Sequence, residues 1–188
     1  MKKIFFALVP LTLFLLFCAF TPQSGGDREA YPETPPGSLT FIGQAGNPNL
    51  FTMNRWKFSR VENVDNPTEI GITAVFDMVS ITCDWKDLEK SLHKKRDYFH
   101  SRRHSTASLS VDGATLQEDG SYLAQAVLEL KGVRKEIPIS FTIGADEEGI
   151  PTVAAEAIVM RREWRFSGDG PLDEVPVTVN AQLVQFAE

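Results

Sequence analysis

The chain has 188 residues, 43% of them hydrophobic, which is enough for one domain with a real core and too short for two. Its formal net charge is −6, and without Lys2 and Lys3 17 basic residues face 25 acidic ones. Because a negative long-range field opposes the approach of DNA or RNA, we expect no nucleic-acid partner.

Residues 1–20 have the composition of an export signal. Two lysines are followed by an apolar run of 17 residues from Ile4 to Phe20. This length is at the lower limit for a membrane-spanning helix, so a retained anchor is an alternative to a cleaved signal. The stretch from Leu15 to Cys18 resembles the lipobox of bacterial lipoproteins, which makes Cys18 a lipidation candidate. All three alternatives predict an exported protein in the periplasm or on a membrane of the cell envelope.

Residues 21–37 are rich in Pro, Gly and charge and show no apolar period, so we predict a flexible linker there and a single domain over residues 38–188. Cys83 is then the only cysteine of the domain and has no partner for an internal disulfide. It ends an apolar run, which indicates a buried structural thiol.

From residue 38 onward, apolar and polar residues alternate with the period of two that is typical of half-buried strands. Ile70, Ile72 and Ala74, for example, alternate with Gly71 and Thr73. Turns containing Gly, Asp and Asn separate the alternating segments. The pattern predicts about eight strands, over residues 38–45, 50–59, 68–82, 105–116, 121–132, 135–143, 152–164 and 175–184.

One segment has helical spacing instead. Trp85, Leu88, Leu92 and Phe99 fall close to one helical stripe, and Asp84 has the right chemistry for an N-cap. We therefore predict a single α-helix over about residues 85–100, in a connection between strands.

Many closely spaced strands and one helix favour an all-β antiparallel sandwich or barrel. An eight-stranded barrel is either filled by its own side chains or encloses one small ligand. The apolar rows include small members, Ala74, Ala124, Ala126 and Ala181. Such residues leave room for a ligand in one arrangement and accommodate large neighbours in the other, so both alternatives stay open.

Three segments carry a family resemblance. They are DLEKSLHKKRDYFHSRRHSTASL (residues 87–109), LELKGVRKEIPISFTI (128–143) and AEAIVMRREWRFSGDGPLDEVPVTVNAQL (155–183). In this order and spacing they resemble the YceI-like domain family of bacterial polyisoprenoid-binding proteins, over roughly residues 38–186. Arg161 and Glu163 match the family's closing pattern, and Met160 stands where relatives often have Asn.

The resemblance implies a lipocalin-like, eight-stranded antiparallel β-barrel with an apolar interior that holds an isoprenoid lipid, either a polyprenyl phosphate or a quinone-type lipid. No other cofactor is expected. Strand parity then suggests the lining of the cavity: Phe41, Phe76, Met78, Tyr98, Phe99, Leu128, Phe141, Met160, Trp164 and Phe166. Arg161 is the candidate for binding an anionic head-group because a guanidinium suits phosphate. The alternative is structural, with Arg161 paired to Glu163 or to Asp97.

Other polar patterns are weaker. His100 and His104 are four residues apart, as zinc ligands on a helix are, but no acidic or thiol ligand is near them, so we predict no metal site. The basic run of residues 94–104 is either a solvated surface or a contact for anionic lipid head-groups. No phosphate-binding loop, nucleotide fingerprint or nucleophile–base arrangement appears, so we do not expect an enzyme.

Two functions remain. The first is an envelope protein that binds an isoprenoid lipid for transport, storage or stress protection, attached to the membrane by its leader or by lipidation. The alternative is a membrane-tethered structural or interaction module with a filled barrel and no ligand. A homodimer is compatible with both.

Overall fold

The computed structural model describes residues 30–43, 49–168 and 172–186. The predicted export signal, Cys18 and most of the predicted linker lie outside these residues. In the described ranges, no helix is long and apolar enough to cross a membrane. Tyr31 and Pro36, in the last part of the predicted linker, already contact the domain: the ring of Tyr31 lies 5.7 Å from the Lys57 ammonium, and the Pro36 carbonyl accepts a hydrogen bond from Gln182.

Eleven strands form one antiparallel sheet in the described chain. They are β1 (Gly37–Ile42), β2 (Leu50–Met53), β3 (Trp56–Glu62), β4 (Gly71–Asp77), β5 (Ile81–Thr82), β6 (Thr106–Asp112), β7 (Thr115–Leu116), β8 (Tyr122–Leu130), β9 (Val133–Ala145), β10 (Pro151–Met160) and β11 (Glu174–Gln182).

The eleven strands are the eight predicted ones, three of which are interrupted. Asn54 and Arg55 separate β2 from β3, and a 3-10 turn over Met78–Ser80 separates β4 from β5. Gly113, whose φ of 80° is left-handed, begins the break between β6 and β7. The 3-10 turn forms where the Asp77 carboxylate accepts a hydrogen bond from the Val79 amide at 2.9 Å.

The sheet closes into a barrel when β2 and β3 are treated as two halves of one bent strand. The β2 half pairs with β1, and the β3 half pairs with β4. The ring continues through β6, β8, β9, β10 and β11, and β11 pairs with β1. Closure leaves a free edge along β3, where Phe58 forms a bridge with Gln185 after the last strand. The two-residue strands β5 and β7 each pair with one strand in the described chain, β2 and β8 respectively.

The one α-helix of the described ranges, α1 (Lys86–Lys94), is shorter than predicted. It begins after Trp85, so Trp85 and not Asp84 holds the N-cap position. Beyond Lys94 the chain folds back, and the amide of His100 donates to the Leu92 carbonyl at 2.9 Å. The ammonium of Lys131 donates a hydrogen bond to the carbonyl of Arg96 at 2.9 Å. A residue that follows β8 therefore stabilises the turn after the helix.

The core is continuous from one end of the barrel to the other. Its largest fully buried apolar side chains are those of Trp56, Ile70, Ile81 and Trp164, none more than 1% exposed. Cys83 is buried as predicted, with its thiol 3.4 Å from the carbonyl of Trp85. The interior nevertheless contains unfilled space, and that space forms the candidate site.

A candidate binding cavity

The barrel encloses a cavity of about 560 Å³ that reaches the surface beside α1. This volume is in the usual range for small-molecule sites. Its wall is mostly apolar, and the polar side chains that contribute to it are few: Asp87, Ser91, Lys95, Asp97, Glu156 and Arg161. A ligand inside would therefore meet hydrocarbon and aromatic surface over most of its length.

One wall of the cavity is built from small residues on two neighbouring strands. Ala155 and Ala157 of β10 face inward and are paired in register with Val179 and Val177 of β11. The pairing continues from Val159 to Val175. These side chains are only half-buried although they point into the barrel, because the opposite wall does not reach them. The space that they leave is the cavity.

Aromatic rings form the adjoining part of the wall, beginning with Phe41 of β1, which is paired in register with Val177 of β11. The rings of Phe41 and Phe51 are stacked with centroids 4.8 Å apart. Phe99 lies edge-on to Phe41 at 5.8 Å and to Phe166 at 5.0 Å. This ladder joins β1 and β2 to the segment after α1, so it holds that segment over the cavity while it presents apolar ring surface to the interior.

A second, smaller cavity of about 70 Å³ continues the first toward the far end of the barrel. The two share part of their lining, including Leu39, Phe76 and Ala155. Trp56, Phe58 and Phe141 line the far side of the smaller cavity. The interior thus narrows away from the mouth and ends against large aromatic side chains.

Exposed residues among the lining mark the mouth of the cavity. Trp85 is 54% exposed, and Asp87, Lys95 and Asp97 are exposed as well. Leu88 and Leu92 of α1 point inward between them. The helix and the residues that follow it therefore form one rim of the opening.

Arg161 lies in the wall near this rim, with its side chain 6% exposed. Its Nε donates to the Leu172 carbonyl at 2.7 Å, and Nη2 donates to the Gly168 carbonyl at 2.8 Å. Nη2 also lies 3.0 Å from the carboxylate of Asp173. The hydrogen bond from Arg162, and then the charges of Arg162 and Arg161, hold the pKa of Asp173 below its usual 3.8.

The structural alternative named the wrong acids for Arg161, because among the described residues it is Asp173 that lies beside the guanidinium. The carboxylate of Glu163 instead accepts a hydrogen bond from Lys135 at 3.2 Å, and that of Asp97 accepts one from Ser167. The reason is a 3-10 turn over Arg161–Trp164, which ends the strand alternation on which the prediction rested.

Most of the predicted lining residues do face the main cavity. Those that do are Phe41, Phe76, Met78, Tyr98, Phe99, Leu128 and Phe166. Phe141 lines the smaller cavity. Two predictions were wrong. Met160 is 40% exposed, because Val159 is the inward residue at that end of β10, and Trp164 is fully buried behind the wall.

The predicted list missed the small-residue wall altogether. The signal was present in the sequence, since Ala155, Ala157 and Val159 share one parity in β10, as Val175, Val177 and Val179 do in β11. The four alanines named from the sequence behave differently. Ala124, Ala126 and Ala181 lie in solid core, and Ala74 lines the smaller cavity.

The described residues contain no group of three or more His, Cys, Asp or Glu placed to hold a metal ion. The rings of His100 and His104 lie 6.1 Å apart, and His93 is hydrogen-bonded to buried Ser101 at 2.6 Å. What the cavity offers a ligand is mostly apolar surface, with few polar side chains in its wall.

The comparisons with known proteins agree with this geometry. The sequence model of the YceI-like domain family matches residues 45–183. No curated protein matches the chain. Among solved structures, Burkholderia cenocepacia BcnA superposes with a TM-score of 0.69 at 14% identity, covering 77% of this chain and 94% of that one.

Two further structures share the fold. A polyisoprenoid-binding domain from Saccharophagus degradans, implicated in plant cell wall breakdown, has a TM-score of 0.59 at 11% identity, covering 80% of this chain and 94% of that one. The Campylobacter jejuni YceI protein has a TM-score of 0.55 at 11% identity, covering 70% and 83%. At such identities the likeness shows the fold alone, and it confirms the predicted all-β antiparallel class.

Proposed function

Since the chain belongs to the YceI-like domain family, as its sequence predicted, we propose that its barrel binds the hydrocarbon chain of an isoprenoid lipid. The observation that carries the proposal is the apolar cavity of about 560 Å³ with one mouth beside α1. The polyisoprenoid-binding domain from S. degradans has the same fold, and its ligand class supports the choice of an isoprenoid.

The physics of such a site favours a long apolar chain. Each CH₂ group moved from water into a dry cavity contributes roughly 0.8 kcal/mol. Part of this is offset by the lost freedom of the ligand. The cavity narrows toward Trp56, Phe58 and Phe141, so we expect the chain to enter tail-first and its head-group to stay at the mouth.

The head-group separates two ligand classes, a polyprenyl phosphate and a quinone-type lipid. Arg161 is the head-group candidate, because it is a cation in the cavity wall. A phosphate there would have to share the guanidinium with Asp173 and with the carbonyls of Leu172 and Gly168. A quinone or an alcohol carries no charge, so it would not need the Arg161 guanidinium as a counter-ion.

The rival function, a tethered interaction module, requires a filled barrel. The open interior favours a ligand-binding protein over this rival. We further propose that the protein acts in the cell envelope in transport, storage or protection of its lipid, held at the membrane by its leader or by a lipid on Cys18. We propose no reaction, because the family is one of binding proteins.

The proposal is tested by filling the cavity from its small-residue wall. Ala157→Trp places an indole in the cavity, whereas Ala154→Trp places the same side chain on the exposed face of the same strand. The fragment of residues 30–188 is suited to this test. Its strands and core are complete within it, and the related B. cenocepacia structure matches over 94% of its own chain.

Binding is measured by displacement of a fluorescent polyprenol by unlabelled polyprenol in dilute detergent. We expect Ala157→Trp to weaken binding at least about tenfold, which corresponds to about 1.4 kcal/mol. Ala154→Trp should change it less than about twofold, and circular dichroism should show both variants folded. Equal affinities for the two variants, or no binding by the native domain, would overturn the proposal.

A further inference from the structure

The most basic part of the chain borders the mouth of the cavity. Residues 94–104, here called the basic segment, contain five Lys or Arg residues and one acid, in a chain whose formal net charge is −6. Lys95 contributes to the rim of the cavity, but the other four cations do not line it, and sequestering an apolar chain makes no use of them. Binding of an apolar chain therefore does not explain why the basic segment lies at the mouth of the cavity.

The fold divides the basic segment into an inner and an outer set of side chains. Tyr98 and Phe99 line the cavity, and Ser101 is fully buried against His93. The cations are all exposed: Lys94, Lys95, Arg96, Arg102 and Arg103. The aromatic pair in the middle of the segment thus packs against the barrel, and the basic residues on both sides of it face solvent.

The backbone of the basic segment is held in place by contacts with other elements. The ammonium of Lys131 donates to the carbonyls of Arg96 and Arg165, each at 2.9 Å, and lies 4.2 Å from the centre of the Phe166 ring. The amide of Arg103 donates to the His100 carbonyl at 2.8 Å. The five cations are therefore presented by a fixed loop.

The one acid of the basic segment, Asp97, accepts a hydrogen bond from Ser167 instead of pairing with the segment's cations. Over the described residues, none of the five forms an ion pair, whereas Lys86, Lys90, Arg55, Arg60 and Lys135 each lie within 4.0 Å of a carboxylate. Further positive charge lies close by. Burial, and then the charges of Arg103, His100, Lys131 and Arg165, lower the pKa of His104. Positive charge is thus concentrated on this side of an otherwise acidic molecule.

We propose that the basic segment docks on the surface of an anionic lipid bilayer, with the mouth of the cavity facing the membrane. Charge complementarity selects the partner, because unpaired Lys and Arg side chains bind anionic head-groups. Trp85, exposed at the same mouth, has the amphipathic ring that is enriched at membrane interfaces. Docking in this orientation places the opening of the barrel next to the lipid phase.

The docking surface is tested without any isoprenoid, so its failure and that of the proposed function are distinguishable. The fragment of residues 30–188 is sedimented with sucrose-loaded vesicles of phosphatidylcholine, with or without about one-third phosphatidylglycerol, at about 0.1 M salt. The test variant carries Arg96→Gln, Arg102→Gln and Arg103→Gln, which are exposed and do not line the cavity.

A matched control changes the net charge equally at the other end of the barrel. It carries Ser140→Glu, Thr142→Glu and Asn180→Glu, on the exposed faces of β9 and β11. Each basic residue near an anionic surface contributes about fivefold to partitioning, so the test variant should lose roughly a hundredfold and the control less than about threefold. Native binding should also fall at about 0.5 M salt.

Three results would overturn the docking proposal. The first is no binding of the native fragment to the anionic vesicles. The second is equal binding to vesicles of phosphatidylcholine alone. The third is an equal loss in the test variant and the control, because that would assign binding to net charge and not to the basic segment.

Discussion

At the scale of single residues, Arg161 joins the end of β10 to the loop before β11. Its guanidinium bonds two carbonyls of that loop and lies beside the carboxylate of Asp173. Hydrogen bonds from a charged donor contribute about 1.5–3 kcal/mol each in net terms. A single buried side chain therefore shapes the rim of the cavity, whether or not it also contacts a head-group.

The ion pairs of Asp173 predict a pH dependence of stability. Because its pKa is lower in the folded chain than in the unfolded one, ionised Asp173 stabilises the fold above about pH 3.8, and this stabilisation is lost as the pH falls through the folded pKa. We expect Asp173→Asn to lower Tm near neutral pH, and the difference from the native protein to shrink below about pH 3.8.

Thermal unfolding of the two proteins between about pH 7 and pH 2.5, followed by circular dichroism, measures this difference. Glu174→Gln is the control, since Glu174 is an exposed acid next in sequence with no ion pair among the described residues. A difference for Asp173→Asn that stays constant over the whole pH range would contradict the assignment.

At the scale of elements, the 3-10 turn over Arg161–Trp164 decides which side chains reach the cavity. Simple alternation would place Met160, Trp164 and Phe166 on one inward face. The turn instead leaves Met160 outside, buries Trp164 behind the wall and brings Phe166 to the cavity. The indole nitrogen of Trp164 donates to the Val133 carbonyl at 3.1 Å, which joins the turn to β9.

Trp164 and Trp85 form a natural pair for testing this division. Trp164→Phe removes buried volume and leaves the Val133 carbonyl without its indole donor, so we expect a loss of about 1–3 kcal/mol in the free energy of unfolding. Trp85→Phe, at a side chain that is 54% exposed, should cost less than about 0.5 kcal/mol. Urea denaturation measures both, and equal losses would show that Trp164 does not anchor the turn.

At the scale of the whole molecule, the period of two in the sequence predicted the strands and their sequence along the chain well. Alternation is a local property, because successive side chains of a strand point to opposite faces. The breaks at Asn54 and Arg55 and at Gly113 interrupt strands without changing their order around the barrel. The family resemblance added the closed, lipocalin-like form, which the alternation alone could not distinguish from a sandwich.

Contacts between distant segments could not be predicted in the same way. The acid beside Arg161 depends on how the loop after residue 168 folds, and no local pattern points to Asp173. The volume of the cavity depends on what lies across the barrel. Ala126 is fully buried in core, whereas Ala157 borders open space, although both are small residues on inward rows.

The central claim is that the barrel holds an isoprenoid lipid, and native mass spectrometry tests it most directly. The domain of residues 30–188 would be exported in a bacterial host, purified without detergent and measured intact. We expect a bound mass that extracts into organic solvent and fragments as an isoprenoid, and that mass would identify the lipid. A mass equal to the bare chain, unchanged after incubation with polyprenyl phosphates, polyprenols and quinones, would contradict the claim.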